Sequence, residues 1–299
     1  MSPSGRDRRF PLRVCLAAAL ASLIALTGCG GESGTEDDEP RIGPVPVVRV
    51  GTAGTALQLP LHDYLFSQRQ LRELDRARFL LLDRCTRRFG FPYPAPAYSG
   101  TGPTSLAGRR YGVYDAQQAK AYGYGIAGNH QPPERKELPP ERKYVVFGEG
   151  ASPATGRKVP EGGCLGLANR QLTGGSTGQA DSFPQLLSSE SFQRSREDSR
   201  TRKAFGAWSA CMAQRGYAYD NPFAPARDKR LRADGKAKEI RVAVADIACK
   251  EKTNLVGIWY AVESAYQRQS IRKNAATLTS AKATIKRNMW TAASVLASR

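Results

Sequence analysis

The chain has 299 residues and a formal net charge of +18, from 45 lysines and arginines against 27 aspartates and glutamates. That length suits one large domain or two small ones. The apolar run Val14–Leu26 has 13 residues, short of the roughly 20 that a membrane-spanning helix needs, so it is not read as a transmembrane segment.

Arg6, Arg8, Arg9 and Arg13 precede that run, which gives the basic-then-apolar order of a secretory signal. The run ends in Leu26-Thr27-Gly28-Cys29. Leu-x-Gly-Cys at this depth resembles the lipobox of bacterial lipoproteins. The resemblance implies that residues 1–28 form a signal peptide cleaved before Cys29, and that Cys29 carries a diacylglyceryl thioether with palmitate-like chains. One acyl chain holds a protein to a membrane only reversibly, whereas two hold it stably. Arg8-Arg9 raises twin-arginine export, but Pro11 stands where that signal carries a large apolar residue, so the general secretory route is expected. Gly30 to Pro40 is rich in Gly and acid with no apolar period, the composition of a flexible tether. The expected location is the extracytoplasmic face of the cell membrane, with the membrane itself as partner through Cys29.

Without the signal and the tether acids Glu32, Glu36, Asp37, Asp38 and Glu39, the body carries roughly +20. Such an excess commonly marks nucleic-acid binding, but the compartment argues against that partner. Outside the cell the available polyanions are anionic headgroups and wall polymers. The plainer reading is that the charge serves solubility.

Val45–Val50 reads as a short strand. Residues 59–91 read as a helix, because Leu71, Leu74, Arg78, Leu81 or Leu82, and Cys85 recur at steps of three and four. Gly90 closes it and Pro92 forbids continuation. His62-Asp63 falls at its expected start, where Asp caps. Gly and Pro are frequent from about residue 90 to 165, so loop is expected there, with a helix at Asp115–Tyr122 and a strand-like run at Tyr144–Phe147. Tyr111, Tyr114, Tyr122 and Tyr124 read as residues packing a loop onto the core; a stacking surface for sugars is the alternative. A short helix, Gly163–Leu172, carries Cys164, and a polar helix runs through Phe183–Ser195. The next helix, capped by Asp198, places Ala204, Trp208, Cys211 or Met212, and Arg215 on one side and closes at Gly216. Residues 238–297 are helical by pattern, with Val244, Ile247, Ala248, Glu251, Leu255, Ile258 or Trp259, Val262 and Tyr266 on one face and Gly257 as the only breaker. The run exceeds an ordinary helix, so a bend or a fold-back is expected.

Six cysteines are present. Cys15 leaves with the signal and Cys29 takes lipid, so Cys85, Cys164, Cys211 and Cys249 remain. An even number in an exported domain suggests two disulfides, and four cysteines permit three pairings. An internal echo chooses among them. "CTRRFGFPY" from Cys85 and "CMAQRGYAY" from Cys211 share Cys-x4-Gly-aromatic-x-Tyr, and each is followed by a cysteine read as early in a helix. The economical pairing is Cys85–Cys164 and Cys211–Cys249. A zinc site would want CxxC or nearby His, a redox site CxxC, and a cysteine nucleophile a His partner; none of these is present, and no metal or cofactor is expected.

The segments "AWSACMAQRGYAYDNP" and "VAVADIACKEK" resemble lipoproteins of actinomycete bacteria, a group with no established activity. The resemblance covers about the last hundred residues, and the first copy more loosely because Thr86 stands where Met would. It implies location and staples, not a reaction.

"GGSTG" at 174–178 matches G-x-S-x-G, but it follows a polar helix rather than a strand, and both histidines, His62 and His130, lie upstream. Ser176 is therefore read as linker, and no catalytic residue is assigned. The expected fold is mainly α, loop-rich, with two related helical units at 46–175 and 176–299 after the lipidated cysteine and tether at 29–45, and with β at most minor. The expected function is a non-catalytic binding or scaffold module at the envelope. The alternatives are a hydrolase of a cell-wall polymer and a transporter-linked solute-binding lipoprotein, which would need repeated strand–helix alternation. A groove between the units, lined by Trp208, Tyr217, Tyr219, Trp259 and Tyr266, is the candidate ligand site, although such spacing more often marks core.

Overall fold

Eleven α-helices and no strand make up the described residues of the computed structural model, namely 39–48, 57–94, 109–125, 137–150, 157–175 and 179–298. Residues 1–28, Cys29, His130 and Ser176 lie outside them. The helices in chain order are α1 (Gln68–Arg87), α2 (Ala116–Tyr122), α3 (Pro140–Phe147), α4 (Gly163–Thr173), α5 (Gln179–Glu197), α6 (Ser199–Gln214), α7 (Ala224–Arg227), α8 (Lys229–Ala233), α9 (Lys236–Thr253), α10 (Leu255–Lys273) and α11 (Ala275–Ala297).

Local chemistry explains where the helices begin and end. The expected helix over 59–91 divides: Pro60–Tyr64 forms a 3-10 turn that holds His62 and Asp63, and the cap of α1 is Ser67. Ser67 Oγ accepts from the Gln70 N–H, and Gln70 Oε1 accepts in return from the Ser67 N–H, a reciprocal capping box. Asp115 and Asp198 cap α2 and α6, each carboxylate accepting backbone N–H groups of the first turn.

Neither expected strand is found among the described residues, which include residues 45–48 but not Arg49 and Val50. Tyr144–Phe147 is the last turn of α3, which starts at Pro139-Pro140, with Pro at the first helical position, and buries Val145 and Val146. A run of four apolar residues fits either period, and packing against α4 decides it. Residues 45–48 form no ladder; Val48 N–H donates instead to Asn254 Oδ1 at 3.2 Å.

The C-terminal run breaks at Asn254 and Asn274, not at Gly257. Asn254 has a left-handed φ of 48° and ends α9, a conformation that Asn tolerates better than most residues. Gly257 lies inside α10, where a Cβ would collide with the Pro46 carbonyl and stand 2.5 Å from Asn254 Oδ1. Asn254 Nδ2 donates to that same carbonyl at 3.0 Å. Gly257 is thus the site at which the N-terminal segment crosses the helix. Gly257→Ala is expected to push residues 43–48 off α10 and to cost about 2 kcal/mol, measured by chemical denaturation; an unchanged midpoint would contradict the crossing.

α10 is the central helix. It packs on α5, α6, α9 and the 3-10 turn, and its Trp259 is fully buried among Tyr111, Phe192, Phe205 and Phe223, with ring centroids 5.0–5.6 Å away. α11 lies along α1 and over α4 and α5. α3 packs on α4, whereas α2, from the same half of the sequence, packs on α9. Contacts of α2 with α9 and of α11 with α1 therefore cross the expected division at residue 175. The inner face of α9 is Val242, Asp246, Ile247, Cys249 and Lys250, so Val244, expected inside, is 37% exposed.

Candidate functional site

The echoed segments end their helices in one way. Gly90 N–H donates to Arg87 O at 3.1 Å and Phe91 N–H to Thr86 O at 3.4 Å; Gly216 N–H donates to Ala213 O at 2.9 Å and Tyr217 N–H to Met212 O at 3.0 Å. Both glycines are left-handed, with φ +87° and +82°. This is the double bond of a Schellman closure, in which the residue after the glycine folds back onto the last turn. Phe91 accordingly packs in one core with Cys85, and Tyr217 against the core that holds Cys211.

The next tyrosine is tied to the helix as well. Tyr93 N–H donates to Asp83 Oδ1 at 2.8 Å, and the Tyr219 carbonyl accepts from Ser209 Oγ at 2.7 Å. Asp83 and Ser209 each stand two residues before the staple cysteine. The Arg87 guanidinium beside Asp83 holds its carboxyl below the usual range against a smaller opposing effect of burial, and the Tyr93 N–H adds to that lowering.

The cysteines pair as the echo implies. Cys85–Cys164 joins α1 to α4 and Cys211–Cys249 joins α6 to α9, each with Cα atoms 5.6 Å apart. All four are buried. Cys164 stands at the start of its helix, but Cys249 stands near the end of α9. The copies therefore share the helix closure and the staple but not the geometry of the second helix.

Each echoed segment reaches the rim of a cleft. The larger cleft, about 980 Å³, is lined by Pro92, Tyr93 and Pro94 on one side and by Leu138, Pro140, Lys143, Phe147, Glu137 and Glu149 on the other. Phe79 stacks on the Tyr93 ring at 6.4 Å and 10°. The smaller cleft, about 380 Å³, is lined by Gly216, Tyr217, Tyr219, Asp228, Arg230, Asp234 and Lys238, among others. Tyr219 OH donates to Asp228 at 3.3 Å. The groove residues inferred from sequence thus separate: Tyr217 and Tyr219 line this cleft, while Trp208, Trp259 and Tyr266 are buried in the interior.

Two polar clusters, built around Asp246 and Glu263, lie in the interior. Asp246 is fully buried and accepts from Trp208 Nε1 at 2.9 Å, Lys250 Nζ at 3.0 Å and Tyr124 OH at 3.3 Å. Lys250 Nζ also donates to the Val113 carbonyl at 2.8 Å. Burial pushes the Asp246 carboxyl up, and Lys250, Trp208 and Tyr124 pull it back. Glu263, also fully buried, accepts from Arg110 Nε at 2.8 Å, Tyr111 OH at 2.8 Å and Gln267 Nε2 at 2.7 Å. Burial, followed by the Glu263 charge, raises the Tyr111 phenol well above its ordinary value. Gln267 Oε1 in turn accepts from the Leu61 N–H at 2.9 Å, fixing the 3-10 turn that holds His62. Burial and the Arg110 charge lower His62.

The groups that hydrogen-bond to Asp246 and Glu263 come from several elements, so both clusters brace the fold. The sequence reading missed both. The signal it had was Asp246 and Lys250 four residues apart on the stripe that also carries Cys249. Among the described residues no three His, Cys, Asp or Glu side chains gather as metal ligands would. No family model, curated protein or solved structure matches the chain.

Proposed function

We propose that the protein is a lipid-anchored, extracytoplasmic binding module of the cell envelope, tethered through Cys29 and non-catalytic, with its ligand seat in the cleft at Tyr93. The observation that carries the reading is the repeated staple. Two buried disulfides suit an oxidising compartment, and each braces a Gly-aromatic-x-Tyr turn at the rim of a cleft. The basic and apolar residues before Cys29 support export and lipidation, as does the resemblance to bacterial lipoproteins. In the larger cleft, Tyr93 backed by Phe79 offers an aromatic face, and Lys143, Glu137 and Glu149 offer a polar rim. That combination suits a wall polymer, whose sugars stack on rings and whose substituents carry charge.

One observation favours a second reading. Glu137 and Glu149 line the same cleft, as the two carboxylates of a glycoside hydrolase would. Both are exposed, without the apolar enclosure that makes one carboxyl a general acid. Purified peptidoglycan separates the readings. The protein is expected to co-sediment with it and to release no soluble fragment, and Tyr93→Ala is expected to weaken binding roughly threefold to tenfold, the worth of one aromatic contact. Absence of co-sedimentation overturns the proposed ligand class. Release of fragments that stops in Glu137→Gln or Glu149→Gln establishes the hydrolase instead.

A further inference from the structure

We propose that the outer face of α11 is a docking surface for anionic phospholipid, with Trp290 at headgroup level when the body is docked. This rests on the lipid-anchored reading and adds the face that the body turns toward the membrane.

α11 buries one side only. Leu278, Ala281, Thr284, Asn288 and Ala292 are buried, and the helix packs on α1, α4 and α5. Lys282, Lys286, Arg287 and Trp290 are all exposed. Lys282, Lys286 and Trp290 recur at four-residue steps, so they form one stripe. Trp290 is 74% exposed, whereas Trp208 and Trp259, the other two tryptophans, are 0% exposed. An indole left in water beside cations gains by moving to a bilayer interface, where its ring meets the glycerol region and its N–H stays hydrated.

Charge selects the occupant. No Asp or Glu follows Glu263, while seven lysines and arginines do. Among the described residues α11 enters no ion pair. The other residues that α11 exposes near Trp290, Ala283, Ala293 and Ser294, are small. A protein partner that took up the indole would gain little from these side chains; an anionic bilayer needs only the cations and the ring. The tether adds proximity. Ten residue steps separate Cys29 from Glu39, whose carboxylate accepts from Ser199 Oγ at 2.6 Å. Fully extended, that chain reaches about 35 Å. With lipid on Cys29 the contact of α11 becomes intramolecular, and a weak surface suffices.

The test uses the chain from residue 29 onward carrying Cys29→Ser, so that no lipid competes. It is mixed with phosphatidylcholine vesicles with or without phosphatidylglycerol. With phosphatidylglycerol present, tryptophan emission is expected to shift to shorter wavelength and acrylamide quenching to fall. Both changes report Trp290, because the other two tryptophans are buried. Lys286→Glu with Arg287→Glu is expected to weaken vesicle binding about tenfold or more, and Trp290→Ser to weaken it in co-sedimentation. Full acrylamide access with vesicles in excess, equal binding to both vesicle types, or unchanged binding by both variants overturns the proposal. Shielding of Trp290 that grows with protein concentration in the absence of vesicles assigns the face to a second copy, and overturns it too. None of these results depends on lipidation, which is tested on Cys29 itself.

Discussion

Removing the Cys211–Cys249 bridge is expected to cost about 4 kcal/mol and to lower the melting temperature by roughly 10 °C. The bridge closes a 38-residue loop, so its loss returns that closure entropy to the unfolded chain. It also joins α6 to α9 inside the largest core, where Cys249 is 0% and Cys211 5% exposed beside the buried Trp208 and Met212. Cys211→Ala with Cys249→Ala removes the bridge without burying new hydroxyls. Denaturant unfolding of this pair against the parent reads the cost directly. A loss below about 1 kcal/mol would mean that the helices hold their packing without the staple, and that the cysteines are kept for something other than stability.

Lys250→Met is expected to cost about 3–5 kcal/mol, because it strands a buried carboxylate. Asp246 would keep Trp208 Nε1 and Tyr124 OH as donors but lose the cation paired with it. Burial raises the Asp246 carboxyl, with Lys250 first among the opposing causes, so removing Lys250 leaves the rise less opposed. A carboxyl raised in the fold contributes stability that is present below the unfolded carboxyl range and lost as pH rises through the folded value. The deficit of Lys250→Met is therefore expected to be larger at pH 7 than near pH 4. Adding Asp246→Asn is expected to recover much of it, since the neutral amide still accepts from Trp208. A Lys250→Met deficit that is independent of pH, or a double variant no better than the single, would show that the loss lies in packing and not in the stranded charge.

How far the sequence reaches into this fold depends on the residue. The closures at Gly90 and Gly216 are legible because a left-handed residue favours Gly, and the fixed spacing to Cys and Tyr repeats the whole device. The pairing of Cys85 with Cys164 and of Cys211 with Cys249 follows from that repeat. Asn254 and Asn274 are not legible as breaks, because Asn also sits in helix interiors, while Gly257 looks like a break and is a close approach to Pro46. The strand-like Tyr144–Phe147 is decided by Pro140 and by α4, which lies beyond any local window. Asp246 and Lys250 look like an ordinary i,i+4 surface pair until Val113, Trp208 and Tyr124 converge on them from other elements. The clefts are built from segments distant in sequence; Tyr217 and Tyr219 were visible as candidates, whereas the Tyr93 cleft needed α3 placed opposite it.

The measurement that bears most directly on the account is the intact mass and peptide map of the protein taken from the membrane fraction of its cells, alkylated in the native state before reduction. The expected result is a chain that begins at Cys29 with diacylglycerol attached, no alkyl group on any cysteine, and linked peptides joining Cys85 to Cys164 and Cys211 to Cys249. A chain with unmodified Cys29 in the soluble fraction would contradict the anchor. Native alkylation of Cys85 or Cys211 would contradict the staples and make the repeated Cys-x4-Gly-aromatic-x-Tyr segment a reactive site.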